Sequence, residues 1–196
     1  MLIGQTEYKE ILHINLLDNV RRKLINKLNV FAFFAVIVCS VVGVALNYFL
    51  RMRGESGGVY ILFILAGVPL CLLYIYLHEV MHFLAVLIST GKKPEIKFGK
   101  LVASCGSPTI SYGKAKYFFV ASFPLIFFCA TLIPLCVLLP PEFFPLPFIP
   151  LCYNIFGSFG DIYMIMRALS VRGICRIIDS GTDIYIYLPE TAKSEN

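Results

Sequence analysis

Residues 59–90 read VYILFILAGVPLCLLYIYLHEVMHFLAVLIST, and this stretch decides the fold. Tyrosines and Cys71 aside, its only ionisable side chains are His78, Glu79 and His82. A run this apolar is longer than the roughly 20 residues a membrane-spanning helix needs. Ionisable groups placed in hydrocarbon cost several kcal/mol, so they call for a purpose and a partner. The spacing suggests both. Histidines at i and i+4 share one helix face and can grip one zinc ion. The glutamate beside the first can act as a general base on water at such an ion. The bland alternative is that the same three side chains hydrogen-bond to neighbouring helices.

The rest of the chain agrees with a membrane setting. It has 196 residues, of which 58% are hydrophobic and 15% charged. A soluble domain carries about a quarter charged residues. The net charge of +5 does not point to nucleic acid, because the basic residues flank apolar spans and form no patch interleaved with aromatics. Seven cysteines are present. Five fall in apolar spans and none forms a CxxC pair, so they read as small buried hydrophobes.

Four segments pass the length test for spans, at about 30–50, 59–89, 117–139 and 147–169. The second is longer than a straight crossing needs, so it must tilt, kink at Pro69 or emerge as helix. The fourth is the least pure, with Asn154, Gly157, Ser158, Gly160 and Asp161 inside it. The first lies too far from Met1, and is too long, for a cleaved signal peptide. Basic residues cluster before the first span, in the 91–116 loop and in the tail after 170, and are sparse elsewhere. The positive-inside bias then places both termini and that loop in the cytoplasm, with His78 and His82 in the cytoplasmic half of their span. A bacterial plasma membrane is the expected location.

The predicted architecture is an all-α integral membrane protein forming a single domain over 1–196, with about four transmembrane helices. Residues 5–27 read as an amphipathic interfacial helix or as a plain helix leading into the first span. Between the second and third spans, Ile96 and Phe98 alternate with charge, Gly106-Ser107-Pro108 is a turn, and Ile110 and Tyr112 resume the alternation. This predicts a short hairpin near the membrane surface. A short β tail is predicted over 177–187, with loose residues after Pro189.

Two histidines do not complete a catalytic zinc site, which usually takes three protein ligands. Cysteines are possible, although thiolates tend to close a site. Among acids, Asp161 alone lies inside another span. If the fourth span runs in the same direction as the second, Asp161 reaches the depth of His78 and His82. Elimination and depth therefore favour Asp161. Asn154 lies seven residues earlier, which on an unbroken helix projects the same way. Its amide could donate to a substrate carbonyl, fix a backbone or bridge two helices. Gly157, Ser158 and Gly160 could allow close helix approach or loosen the helix beside a polar cavity.

These features carry a resemblance. HEVMH at 78–82, Asn154, the Gly157–Asp161 segment, the basic loop, Phe123-Pro124-Leu125-Ile126 and Asp179-Ser180-Gly181 resemble the short bacterial membrane proteins grouped as zincin peptidases. More distantly the chain is similar to site-2 intramembrane metalloproteases, although Met81, Gly157 and Ile162 stand where those enzymes usually have Gly, Pro and Gly. The resemblance implies His78, His82 and Asp161 as zinc ligands, Glu79 as catalytic base and Asn154 as a substrate-side residue. The expected function is a zinc-dependent membrane-embedded metallopeptidase acting on a peptide or membrane-protein substrate in the lipid bilayer. The competing readings are a non-catalytic zinc-binding or metal-sensing membrane protein and a small metal transporter.

Overall fold

The structure, a computed structural model, describes residues 2–3, 6–15, 19–51, 57–98, 103–181 and 183–189. The elements run β1 (Leu2–Ile3), β2 (Thr6–Asn15), α1 (Asn19–Arg51), α2 (Gly57–Thr90), β3 (Glu95–Phe98), β4 (Ala103–Gly106), β5 (Ser111–Tyr112) and α3 (Lys114–Leu138). A 3-10 turn at Pro141–Phe143 follows, then α4 (Pro145–Gly157), α5 (Phe159–Ser170), β6 (Arg176–Asp179) and β7 (Asp183–Pro189). Four helical stretches are long and apolar enough to cross a membrane: Val30–Arg51, Tyr60–Thr90, Lys114–Leu138 and Pro141–Ser170. Their large exposed side chains, such as Phe31, Phe34, Phe49, Leu72 and Leu138, suit contact with lipid tails.

The chain divides into two compact units. The first comprises residues 1–25, 79–123 and 161–196, and the second residues 26–78 and 124–160. The described chain is mostly helical, as expected, and the first unit adds small sheets. Its five strands pair in the order β1-β2-β7-β6-β5, and β3 and β4 form a separate antiparallel ribbon. Ile14, Ile177, Ile184 and Ile186 turn inward from the sheet and pack with Ala85, Val86, Tyr117, Val120 and Met164 of the helices.

Two expectations change here. The helix proposed over 5–27 is instead strand over Thr6–Asn15, followed by helix from Asn19; residues 16–18 lie outside the described ones. The apolar positions of this segment fit two periods. The strand period prevails because β7 offers a partner edge, with His13 opposite Tyr185 and Ile14 opposite Ile184. Ile14 is then buried and Leu12 packs on the core, while Ile11 and His13 face outward. His13 stacks on Tyr185 at 4.3 Å and bonds Asp183 at 3.0 Å, a cross-strand pairing that pins the register.

The second change concerns the loop hairpin. Glu95–Phe98 pairs with Ala103–Gly106, so the reversal falls before Gly106 and not at Gly106-Ser107-Pro108. That turn instead leads to Ser111–Tyr112, which pairs with the tail strand β6. Gly106 is required there. A Cβ on it would sit 2.2 Å from the Gly181 nitrogen and 2.4 Å from the Ser180 carbonyl carbon. The tail hairpin itself forms as predicted, with Gly181 at φ 88° in its turn. Residues after 189, expected to be loose, lie outside the described ones.

In the second unit, helices pack through small residues. Gly43 faces the Phe148 ring and Gly67 faces Ile149, where any Cβ would collide. Asn47 donates to the Tyr60 hydroxyl and to the Pro141 carbonyl, both at 2.9 Å. The Tyr60 hydroxyl in turn donates a hydrogen bond to the Val44 carbonyl. In the fourth span, Gly157 and Gly160 do not provide a close approach. The helix breaks at Ser158, between α4 and α5, and a Cβ on Gly160 would meet nothing within 4 Å.

Candidate metal centre

Each zinc-ligand candidate is placed by a local feature of sequence. α2 runs unbroken through Tyr74, His78 and His82, at i, i+4 and i+8, so the three project from one face. Glu79 lies three residues before His82, one helical turn away. Asp161 enters through the break at Ser158. A new helix starts there, and Asp161 falls in its first turn, where the helix dipole favours a negative charge.

His82 and Asp161 belong to the first unit. His82 Nε2 lies 3.5 Å from Asp161 Oδ1. A tetrahedral zinc with bonds of about 2.1 Å spaces its ligand atoms roughly 3.4 Å apart, so this pair already forms one edge of such a site. The other His82 nitrogen, Nδ1, is 3.0 Å from the Val120 carbonyl oxygen. A carbonyl only accepts, so Nδ1 carries a hydrogen, and Nε2 is the nitrogen turned toward Asp161. Val120 has an oxygen to spare because Pro124, four residues later inside α3, has no N–H to donate to it.

His78 lies one turn before His82 on the same helix. Its Nδ1 is 2.7 Å from the Tyr74 hydroxyl, which is also 2.7 Å from Asn154 Oδ1. His78, His82 and Asp161 each offer one ligand atom that could serve a metal ion, and among the described residues no thiol joins them. Two imidazole nitrogens and one carboxylate oxygen suit zinc and leave a position for water. These residues fit the ion that the motif implies.

Other groups shape the surroundings. Burial pushes the Cys105 thiol up to about 12, and the nearby charges of Glu79 and Asp179 add to the effect, so Cys105 is a neutral thiol. Asp179 accepts hydrogen bonds from the Gly181 N–H at 2.8 Å and from the Tyr117 hydroxyl at 3.2 Å. Burial nevertheless pushes its carboxyl up to about 6, even though the Gly181 N–H, His82 and the Tyr117 hydroxyl act in the opposite direction.

Sequence reasoning finds His78, Glu79, His82 and Asp161 from spacing and depth, and it sets Tyr74, Tyr117 and Asp179 aside. For Tyr74 a signal existed, since it stands four residues before His78 on the same face. Asn154 does not share an unbroken helix with Asp161. It is fully buried, with Nδ2 3.1 Å from the Leu125 carbonyl and 3.3 Å from Cys129 Sγ.

No curated protein and no solved structure matches this chain. A family model described as "Putative zincin peptidase" matches residues 71–175, a stretch that includes His78, Glu79, His82, Asn154 and Asp161. With more than half of its length matched, this chain belongs to that zincin peptidase family.

Proposed function

We propose that the protein is a zinc-dependent peptidase embedded in a membrane, with His78, His82 and Asp161 as ligands and Glu79 as general base. The observation that carries this reading is the 3.5 Å separation of His82 Nε2 and Asp161 Oδ1, with His82 Nδ1 already engaged by a backbone carbonyl. Zinc, when bound, supplies a Lewis acid that polarises the scissile carbonyl and makes water more acidic. Glu79 takes a proton from the attacking water and delivers it to the departing amine nitrogen. His82 keeps its Nδ1 hydrogen on the Val120 carbonyl, so that nitrogen does not compete with Glu79 for the proton.

Asp161 retains 30% side-chain exposure against 12% for His82, which leaves room for water on the carboxylate side. The substrate is a peptide segment of a soluble or membrane protein. Its unwound backbone would add as a strand to the β3–β4 ribbon, whose Cys105 lies close enough to feel the Glu79 charge. The protein sits in a bacterial plasma membrane with both termini in the cytoplasm, as its basic loops suggest.

The test is Glu79→Gln in purified protein. Zinc stoichiometry should stay at the wild-type value, while hydrolysis of a quenched fluorescent peptide library falls by at least about a hundredfold. Cleavage at the wild-type rate would remove Glu79 from the reaction. A non-catalytic zinc protein would cleave none of the library in either form.

A further inference from the structure

The polar atoms around His78 form a chain whose hydrogen-bond directions can be followed from Asn154. All of them lie in the second unit. The Asn154 amide nitrogen faces the Leu125 carbonyl at 3.1 Å. That carbonyl can only accept, which fixes the orientation of the amide and leaves Oδ1 as the atom 2.7 Å from the Tyr74 hydroxyl. Oδ1 also only accepts, so Tyr74 donates its single proton to Asn154. The Tyr74 oxygen, 2.7 Å from His78 Nδ1, must then accept. Nδ1 therefore carries a hydrogen, which in the neutral ring leaves the lone pair on Nε2.

The geometry points to Tyr74 and Asn154 as positioning residues that select the His78 tautomer: Asn154 holds the Tyr74 proton, and Tyr74 holds the His78 Nδ1 hydrogen, which assigns Nε2 to a cation. This inference rests on the proposed role of His78 as a ligand. It gives Asn154 a task inside the protein in place of substrate contact. That task agrees with its burial and with partners already found for both its oxygen and its nitrogen. Neutral histidine in water favours the hydrogen on Nε2, the wrong nitrogen for this site, so a partner at Nδ1 has a definite effect. Groups that orient a metal-binding histidine in this way typically account for about 10–100-fold in metal affinity.

The protein has three histidines, His13, His78 and His82. Histidine-selective 15N labelling of the metal-free protein, at a pH about two units above the ordinary histidine value, reads each tautomer directly, with assignments from single substitutions. In the wild type, His78 should carry its hydrogen on Nδ1. In Asn154→Leu the Tyr74 proton loses its acceptor and turns to His78, which moves the imidazole hydrogen to Nε2.

Zinc competition against a chromophoric chelator should show binding weakened about 10–100-fold in Tyr74→Phe and in Asn154→Leu. Adding Tyr74→Phe to Asn154→Leu removes the misdirected proton and should recover part of the affinity. A pair with a merely structural role would not show this non-additivity. The inference is overturned if metal-free wild-type His78 bears its hydrogen on Nε2, or if Tyr74→Phe binds zinc as tightly as wild type. Zinc binding that survives His78→Ala would instead defeat the ligand assignment, while the wild-type tautomer still reports on the relay.

Discussion

The two histidines of α2 stand one turn apart, yet they are held by different means. His82 leans on a backbone carbonyl that a proline has left unpaired. His78 leans on two side chains, Tyr74 and Asn154, whose protons must be ordered before the imidazole is. A carbonyl can only accept, so the support at His82 has one state. A hydroxyl can donate or accept, so the support at His78 depends on a second residue to choose for it. Precision at one candidate ligand comes from the backbone alone, and at the other from a side-chain network that single substitutions can reverse.

The hardest way to break this comparison is to remove the ligands themselves. His78→Ala, His82→Ala and Asp161→Ala should each abolish stoichiometric zinc binding in equilibrium dialysis, whatever holds the residue in place. Full zinc occupancy in Asp161→Ala would take the carboxylate out of the site. A smaller effect separates the two supports. Pro124→Ala returns an N–H that competes for the Val120 carbonyl, and zinc affinity should fall by up to about tenfold. The same change repairs a helix in which an interior proline costs about 3 kcal/mol. Thermal stability without metal should therefore rise while affinity falls, and a parallel fall in both would refute the account of His82.

The smallest effect concerns the Asp179 carboxyl, which lies in the same unit as His82. Its folded value of about 6 lies above the ordinary aspartate value. Between about 4 and 6 the folded chain keeps a proton that the unfolded chain has released. Stability from this group is thus complete below that window and declines as pH rises through it. In Asp179→Asn the melting temperature, followed by circular dichroism without metal, should lose that slope. An unchanged slope would assign the pH dependence to another group.

What could be read from sequence depended on how local its cause was. HEVMH at 78–82 needs only a helix to put its histidines on one face, and the second span supplies it. The tail hairpin carries its own turn at Ser180-Gly181, so it forms where the pattern places it. In Thr6–Asn15 the apolar positions fit both a helix and a strand, so the local pattern does not choose between them. The deciding partner, β7, begins at Asp183, far along the chain. Gly106-Ser107-Pro108 has the composition of a hairpin turn, but the strand that follows pairs with β6 and not back on β4.

The sequence by itself determined the spans, the paired histidines, the adjacent glutamate and the single acid within another span. Each follows from hydropathy or from helical repeat over a few residues. Only the tertiary structure decided that the fourth span breaks at Ser158, and that Asp161 opens a new helix 3.5 Å from His82. It also decided which nitrogen of each histidine is left for a cation. A tautomer is set by whichever acceptor the fold brings to the opposite side of the ring, and that acceptor comes from a different helix or through a relay that spans two.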